Sequence, residues 1–159
     1  MKDKMVIIIL GAPGAGKGTQ AKLLQKNFDL KYVGSGELLR ARKKKEDFTG
    51  IKIGKFIDFG KWLSTPVIFN LWMNKMEAFK KNDSLNGFIM DGSPRSLFEA
   101  EMLQLALEWY EWVKNKKVIF IKMSSKETIW RLTKRRVCKK CGRNIPYVGE
   151  FRNIKKCDK

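Results

Sequence analysis

Lys17 closes a glycine-rich segment, Gly11-Ala12-Pro13-Gly14-Ala15-Gly16-Lys17-Gly18-Thr19, whose residue types suit the holding of phosphates. Glycines lack a Cβ, so several backbone N–H groups can converge on phosphate oxygens, and the lysine adds a full positive charge. Gly11, four intervening residues, Gly16 and Lys17 match the spacing of a phosphate loop. The general pattern has Ser or Thr directly after the lysine to meet magnesium, whereas here Gly18 fills that place and Thr19 comes one residue later. Without the right flanks, such a segment is an ordinary strand-to-helix turn.

Further chemistry-bearing residues follow. Asp91 ends the apolar run Gly87-Phe88-Ile89-Met90 and leads into Gly92-Ser93-Pro94-Arg95. A carboxylate beside a phosphate loop suits hydrated Mg²⁺, and the bland alternative is a turn cap. The planar fork of Arg95 suits phosphate oxygens, although a carboxylate partner would serve it equally. Cys138-x-x-Cys141, with Cys157 further on, offers thiolates at a spacing suited to zinc or simply free reduced thiols.

The elements that must position these groups are legible in the apolar pattern. Met5-Val6-Ile7-Ile8-Ile9-Leu10 reads as a buried strand, and a helix over about residues 17 to 27 starts at the loop, where its N-terminus adds partial positive charge. A strand at Lys31-Tyr32-Val33 leads to a helix opening at Gly34-Ser35-Gly36-Glu37, and a polar, lysine-rich stretch runs on to Gly60. Thr65 as cap and Pro66 at the first helical position start another helix, with Ile68, Leu71, Trp72, Met76 and Phe79 on one face. After the strand at Gly87 to Asp91, a helix from Ser96 to about Lys114 presents Phe98, Met102, Leu105, Ala106, Trp109 and Val113 to the core. Lys117 to Ile121 is the next strand, and Ser124 with Glu127 forms a capping box for a helix carrying Arg131 to Arg136. Alternating strands and helices predict a parallel α/β sheet with ligands at the carboxyl ends of its strands, where Gly11, Ser35, Asp91 and Arg95 fall.

Composition bounds the function classes. A chain of 159 residues holds one core, and its apolar runs fall far short of a bilayer span. With no charged-then-apolar leader before the first strand, a soluble cytoplasmic protein is expected. Three cysteines argue against a disulfide framework. The net charge of +18 would attract any polyanion. Arg42-Lys43-Lys44-Lys45 and Lys134-Arg135-Arg136 carry no accompanying nucleic-acid motif, so the first reads as a solvated helix end and no specific nucleic acid is expected as partner.

Lys17-Gly18-Thr19-Gln20 resembles the loop of the adenylate kinase family, and three more motifs follow in that family's order. Ser35-Gly36-Glu37-Leu38-Leu39-Arg40 is similar to the acceptor-monophosphate segment, where the family usually has Thr-Gly-Asp; Phe88 to Arg95 is similar to its Asp-Gly-Phe-Pro-Arg motif, with Ser93 in place of phenylalanine; Arg131 and Arg135-Arg136 resemble the arginines flanking its lid. The resemblance implies a P-loop three-layer α/β fold: a core over about 1–33 and 75–131, a helical monophosphate-binding lobe over about 34–74, and a partial lid over about 132–159.

The activity so implied is Mg²⁺-dependent transfer between ATP and AMP, giving two ADP, by a monomer. Lys17, Arg95 and Arg135 would be catalytic, and Asp91 would organise Mg²⁺ through water. ATP would be held by Gly14, Ala15, Gly16, Lys17, Gly18, Thr19, Arg131, Arg135, Asn144 and Ile145. AMP would be held by Ser35, Arg40, Lys61, Trp62, Leu63, Gly92, Ser93, Pro94, Arg95 and Glu99. Glu99 stands where the family's glutamine reads the adenine edge; an ionised carboxylate only accepts, so the acceptor base stays open, and Ser96-x-x-Glu99 is equally a capping box.

Some relatives hold a structural zinc between two cysteine pairs; here Cys138, Cys141 and Cys157 would leave a fourth ligand to fall near position 160, past Lys159. The resemblance also implies the rest of a lid, two more arginines, a strand and a helix beyond Lys159, so the chain reads as a fragment of a longer kinase with marginal stability. Two alternatives stay open at this stage: a kinase for another nucleoside monophosphate, and a non-catalytic basic module that binds nucleotides or nucleic acid.

Overall fold

Four parallel strands form the centre of the molecule, in a computed structural model that describes residues 4–141 and 144–154. They are β1 (Met5–Gly11), β2 (Lys31–Gly34), β3 (Gly87–Asp91) and β4 (Lys116–Ile121), in the order β2-β3-β1-β4. Register pairs Ile9 with Asp91 and with Ile119, and Gly34 with Asp91, so the carboxyl ends of the strands lie side by side. Val6 to Ile9 are all buried because β1 is covered on both faces, which explains an unbroken apolar run instead of alternation. On one face Ile7, Ile9 and Ile89 pack with Ala21 and Leu30; on the other, Val6, Ile8, Phe88 and Met90 meet Trp72, Met76, Leu103 and Leu107.

Six helices surround the sheet among the described residues: α1 (Lys17–Phe28), α2 (Ser35–Lys43), α3 (Phe48–Asp58), α4 (Thr65–Lys80), α5 (Leu97–Trp109) and α6 (Ser125–Lys134). Three of them, α2 to α4, run between β2 and β3. A two-residue antiparallel pair, β5 (Arg136–Val137) with β6 (Asn144–Ile145), and a 3₁₀ turn at Gly149–Arg152 follow α6. No helix is long and apolar enough to cross a membrane among these residues.

Several expectations are corrected. The lysine-rich stretch before Gly60 contains α3, capped by Asp47, whose side chain accepts from the Gly50 N–H at 2.8 Å. Its inner face is Gly50, Ile53 and Gly54, and a Cβ on Gly50 would meet the Lys45 carbonyl oxygen at 1.9 Å. The small residues let α3 approach the turn after α2, and they hide the helical period from an apolar count. The cap of α4 is Ser64, with Thr65 already helical and Pro66 in the first turn.

The helix α5 ends at Trp109, where Glu111 takes a left-handed φ of 60° and the Trp112 N–H reaches back to the Leu107 carbonyl. Its core face is Leu103, Ala106 and Leu107, with Tyr110 just beyond; of the expected face, Phe98, Leu105 and Trp109 are exposed and only Ala106 is fully buried. Two apolar stripes share this helix, and the one with Leu103 and Leu107 is the one turned to the sheet. Finally, α6 stops at Lys134, leaving Arg135 as its C-cap and Arg136 in β5.

Candidate active site

The phosphate loop links β1 to α1 as the sequence requires. Gly16 is the N-cap of α1 with φ 90°, in the left-handed region that favours glycine. A Cβ on Gly11 would lie 2.6 Å from the Ile121 carbonyl oxygen, so this end of β1 can approach β4 only without a side chain. Lys17 Nζ donates to the carbonyls of Gly11 at 2.8 Å and Ala12 at 3.0 Å. Burial lowers the Lys17 pKa, with the Asp91 carboxylate acting in the opposite sense and Arg95 adding to the lowering.

Asp91, at the end of β3, accepts a 2.8 Å hydrogen bond at Oδ2 from the Tyr32 hydroxyl. A Cβ on Gly18 would sit 3.4 Å from the same oxygen. The first turn of α1 thus lies against the carboxylate, and a side chain at position 18 would touch it. Tyr32 is a functional candidate missed in the sequence. Its ring lies over Gly34, whose Cβ would come within 2.6 Å of the ring, and burial followed by the Asp91 bond pushes its hydroxyl pKa well up. Its only sequence signal is a polar-tipped aromatic residue near the end of a strand.

The loop after β3 is tied to the start of α2 by a buried hydroxyl pair, Ser35 Oγ donating to Ser93 Oγ at 2.7 Å. Arg95 Nε donates to the Gly92 carbonyl at 2.7 Å, and its guanidinium lies 5.4 Å from the centre of the Trp62 ring. The Glu99 carboxylate accepts from the Arg95 backbone N–H at 2.7 Å while the Glu99 N–H donates to Ser96 Oγ at 3.1 Å. The capping motif therefore exists with a shifted second bond. The Arg40 guanidinium lies close to Gly36, where a Cβ would be 3.1 Å from Nη1.

Two adjoining cavities result. One, of about 450 Å³, runs along Gly11, Pro13 and Lys17 to Gly92, Pro94 and Arg95. The other, of about 300 Å³, is lined by Ser35, Arg40, Lys61, Leu63, Ile68 and Glu99, among others. Trp62, Ser93 and Arg95 line both.

The remaining expected residues divide. Arg131 lies by the loop, its Nη1 donating to the Gly14 carbonyl at 3.5 Å and its Nε pairing with Glu127 at 2.6 Å. Arg135 is exposed and lines neither cavity, nor does Ile145; Asn144 belongs to β6. Arg136 donates to the carbonyls of Phe151, Arg152 and Ile154, a structural use of its fork. Cys138 is half-buried and Cys141 exposed, while Cys157 lies outside the described residues. Structural zinc takes four ligands, and among the described residues no group of three or more His, Cys, Asp or Glu is close enough to hold a metal.

The adenylate kinase family model matches residues 9–158, which span the loop, both cavities and α6. The chain belongs to the adenylate kinase family. It is 37% identical to an adenylate kinase of Caldicellulosiruptor bescii over 144 residues, covering 91% of this chain and 65% of that one. It is 35% identical to the adenylate kinase of Geotalea uraniireducens over 155 residues (97% and 70%), and 35% identical to that of Chlamydia trachomatis over 166 residues (98% and 67%). The chain thus spans about two thirds of the length of the curated adenylate kinases it matches.

Proposed function

We propose that this chain carries the phosphoryl-transfer centre of a nucleoside-monophosphate kinase, moving the terminal phosphoryl group of ATP to a monophosphate, with AMP the acceptor that family membership suggests. The single observation that carries the reading is the pair of adjoining cavities sharing Arg95: one runs along Lys17, the other along Arg40. A donor in the first and an acceptor in the second would bring their phosphates together at one guanidinium.

The residues then divide the work. Lys17 and the loop amides of Gly14 to Thr19 hold the donor phosphates, with Arg131 beside them, and Arg40 holds the acceptor phosphate. Arg95 faces both and offsets charge on the migrating group. Asp91 offers an oxygen ligand beside the loop, suited to hydrated Mg²⁺. Mg²⁺, when bound, would neutralise charge on the donor phosphates. No nucleophilic side chain is required, since such transfer rests on positioning and charge stabilisation. In this reading Arg135, Asn144 and Ile145 belong to a partial lid over the ATP site, and residues 34–74 form the acceptor lobe. Closure of both would exclude water, which competes as acceptor. The reading includes a cytoplasmic monomer.

A coupled assay of ADP formation tests it. Lys17→Ala is expected to lower kcat by roughly a hundred- to a thousand-fold, the scale of removing one preorganised charge from a transition state. An unchanged rate would reject the assignment.

A further inference from the structure

The outer face of α3 leaves large apolar side chains in solvent. Phe48 and Phe59, at its two ends, are each 77% exposed and Ile51 is 54% exposed, while Gly50, Ile53 and Gly54 on the opposite side are buried. At 3.6 residues per turn the three exposed side chains fall on one side of the helix, in a stripe roughly 16 Å long. Lys52 and Lys55 lie in the same stripe, and Lys52 Nζ is 5.2 Å from the centre of the Phe48 ring. A lysine so placed can keep its stem on apolar surface while its ammonium reaches a phosphate.

The surroundings are strongly basic. From Arg42 to Lys61 the chain has seven cations and three carboxylates, and two of those carboxylates are already paired, Asp47 with Arg42 at 2.8 Å and Asp58 with Lys43 at 2.7 Å. Lys44, Lys45, Lys52 and Lys55 are exposed and have no carboxylate partner among the described residues. A line of aromatic and aliphatic side chains among unpaired lysines is complementary to a surface that is anionic outside and apolar just beneath. Stacked bases fit this face less well: an ammonium already lies over Phe48 and another over Phe59, at 6.0 Å, and Ile51 offers no π-face.

We infer that the outer face of α3 docks the protein on an anionic phospholipid surface, with Phe48, Ile51 and Phe59 entering the headgroup boundary and the flanking lysines meeting lipid phosphates. This is contact with one leaflet, since no helix among the described residues is long and apolar enough to cross the bilayer. The observations behind it are separate from those behind the monophosphate-kinase reading. Neither the three apolar residues nor the four unpaired lysines line either cavity.

Co-sedimentation of the full chain with lipid vesicles tests the inference. Vesicles of equal parts phosphatidylglycerol and phosphatidylcholine bind the chain, phosphatidylcholine alone binds it roughly tenfold more weakly or less, and added salt weakens the association. Phe48→Gln, Ile51→Gln and Phe59→Gln together, with folding checked by the thermal transition, lower affinity for the mixed vesicles by roughly tenfold or more. Should that variant lose its transition, Phe48→Gln alone carries the test, with roughly a threefold loss. Lys52→Gln with Lys55→Gln lowers the affinity by roughly tenfold. Binding to poly(U), measured in parallel, is unchanged by the apolar substitutions. Failure to bind the mixed vesicles, equal binding to phosphatidylcholine alone, or full affinity after the apolar or the lysine substitutions overturns the inference. A loss of poly(U) binding as large as the loss of vesicle binding also overturns it and assigns the face to single-stranded nucleic acid.

Discussion

The two edges of the sheet carry similar apolar residues in different surroundings. In β2, Val33 is 3% exposed and Gly34 is buried, because α1 and α2 cover the strand. In β4, Val118 is 56% and Phe120 67% exposed, although the strand pairs with β1 along its whole length. Strand pairing and burial are therefore separate achievements. The first follows from β-branched and aromatic residues in sequence, and the second depends on which helices arrive. The covered edge is also the chemical one: Tyr32 and Ser35 act at its end, whereas β4 contributes only the carbonyl of Ile121 that crowds Gly11.

The same substitution on each edge gives the sharpest test. Val33→Ala is expected to cost about 2 kcal/mol, combining lost burial and a residual cavity. Equal losses for Val33→Ala and Val118→Ala in urea unfolding would break the contrast. Next in size is Tyr32→Phe, which removes the bond to Asp91 and is expected to cost about 1 kcal/mol near neutral pH. Tyr32 has a folded pKa raised above its ordinary 10.0, chiefly by burial and by Asp91. Its neutral form therefore stabilises fully below about pH 10, and the advantage over phenylalanine fades as pH rises toward the folded value. Unfolding of both proteins between pH 7 and 11 checks this, and a gap that widens with alkali would contradict it. The smallest effect belongs to Val118→Ala, within about 0.5 kcal/mol, because little of its side chain leaves water on folding.

What could be read beforehand follows the same division. The strand–loop–helix setting of the phosphate loop and the placement of Asp91 and Arg95 beside it were legible because residue type and spacing mark them, and the parallel sheet followed from alternating elements. The inner face of α3 was not legible, since glycines at positions 50 and 54 create closeness without an apolar signal. On α5 the periodicity was real but ambiguous: it contains two apolar stripes, and only tertiary contacts decide between them. Tyr32 escaped notice because its role comes from register, which brings β2 alongside β3 and places the hydroxyl at Asp91. Arg135 and Arg136 are neighbours in sequence with only Arg135 expected at the site, and among the described residues it is Arg136 that meets the carbonyls of the following turn, a use that its residue type alone does not announce.

The buried hydroxyl pair of Ser35 and Ser93 has a mechanical consequence. It bridges residues 58 apart in the chain and pins the first turn of α2 to the sheet. The lever arm of any swinging acceptor lobe therefore begins past Ser35, and its fulcrum and Arg95 ride on one rigid frame.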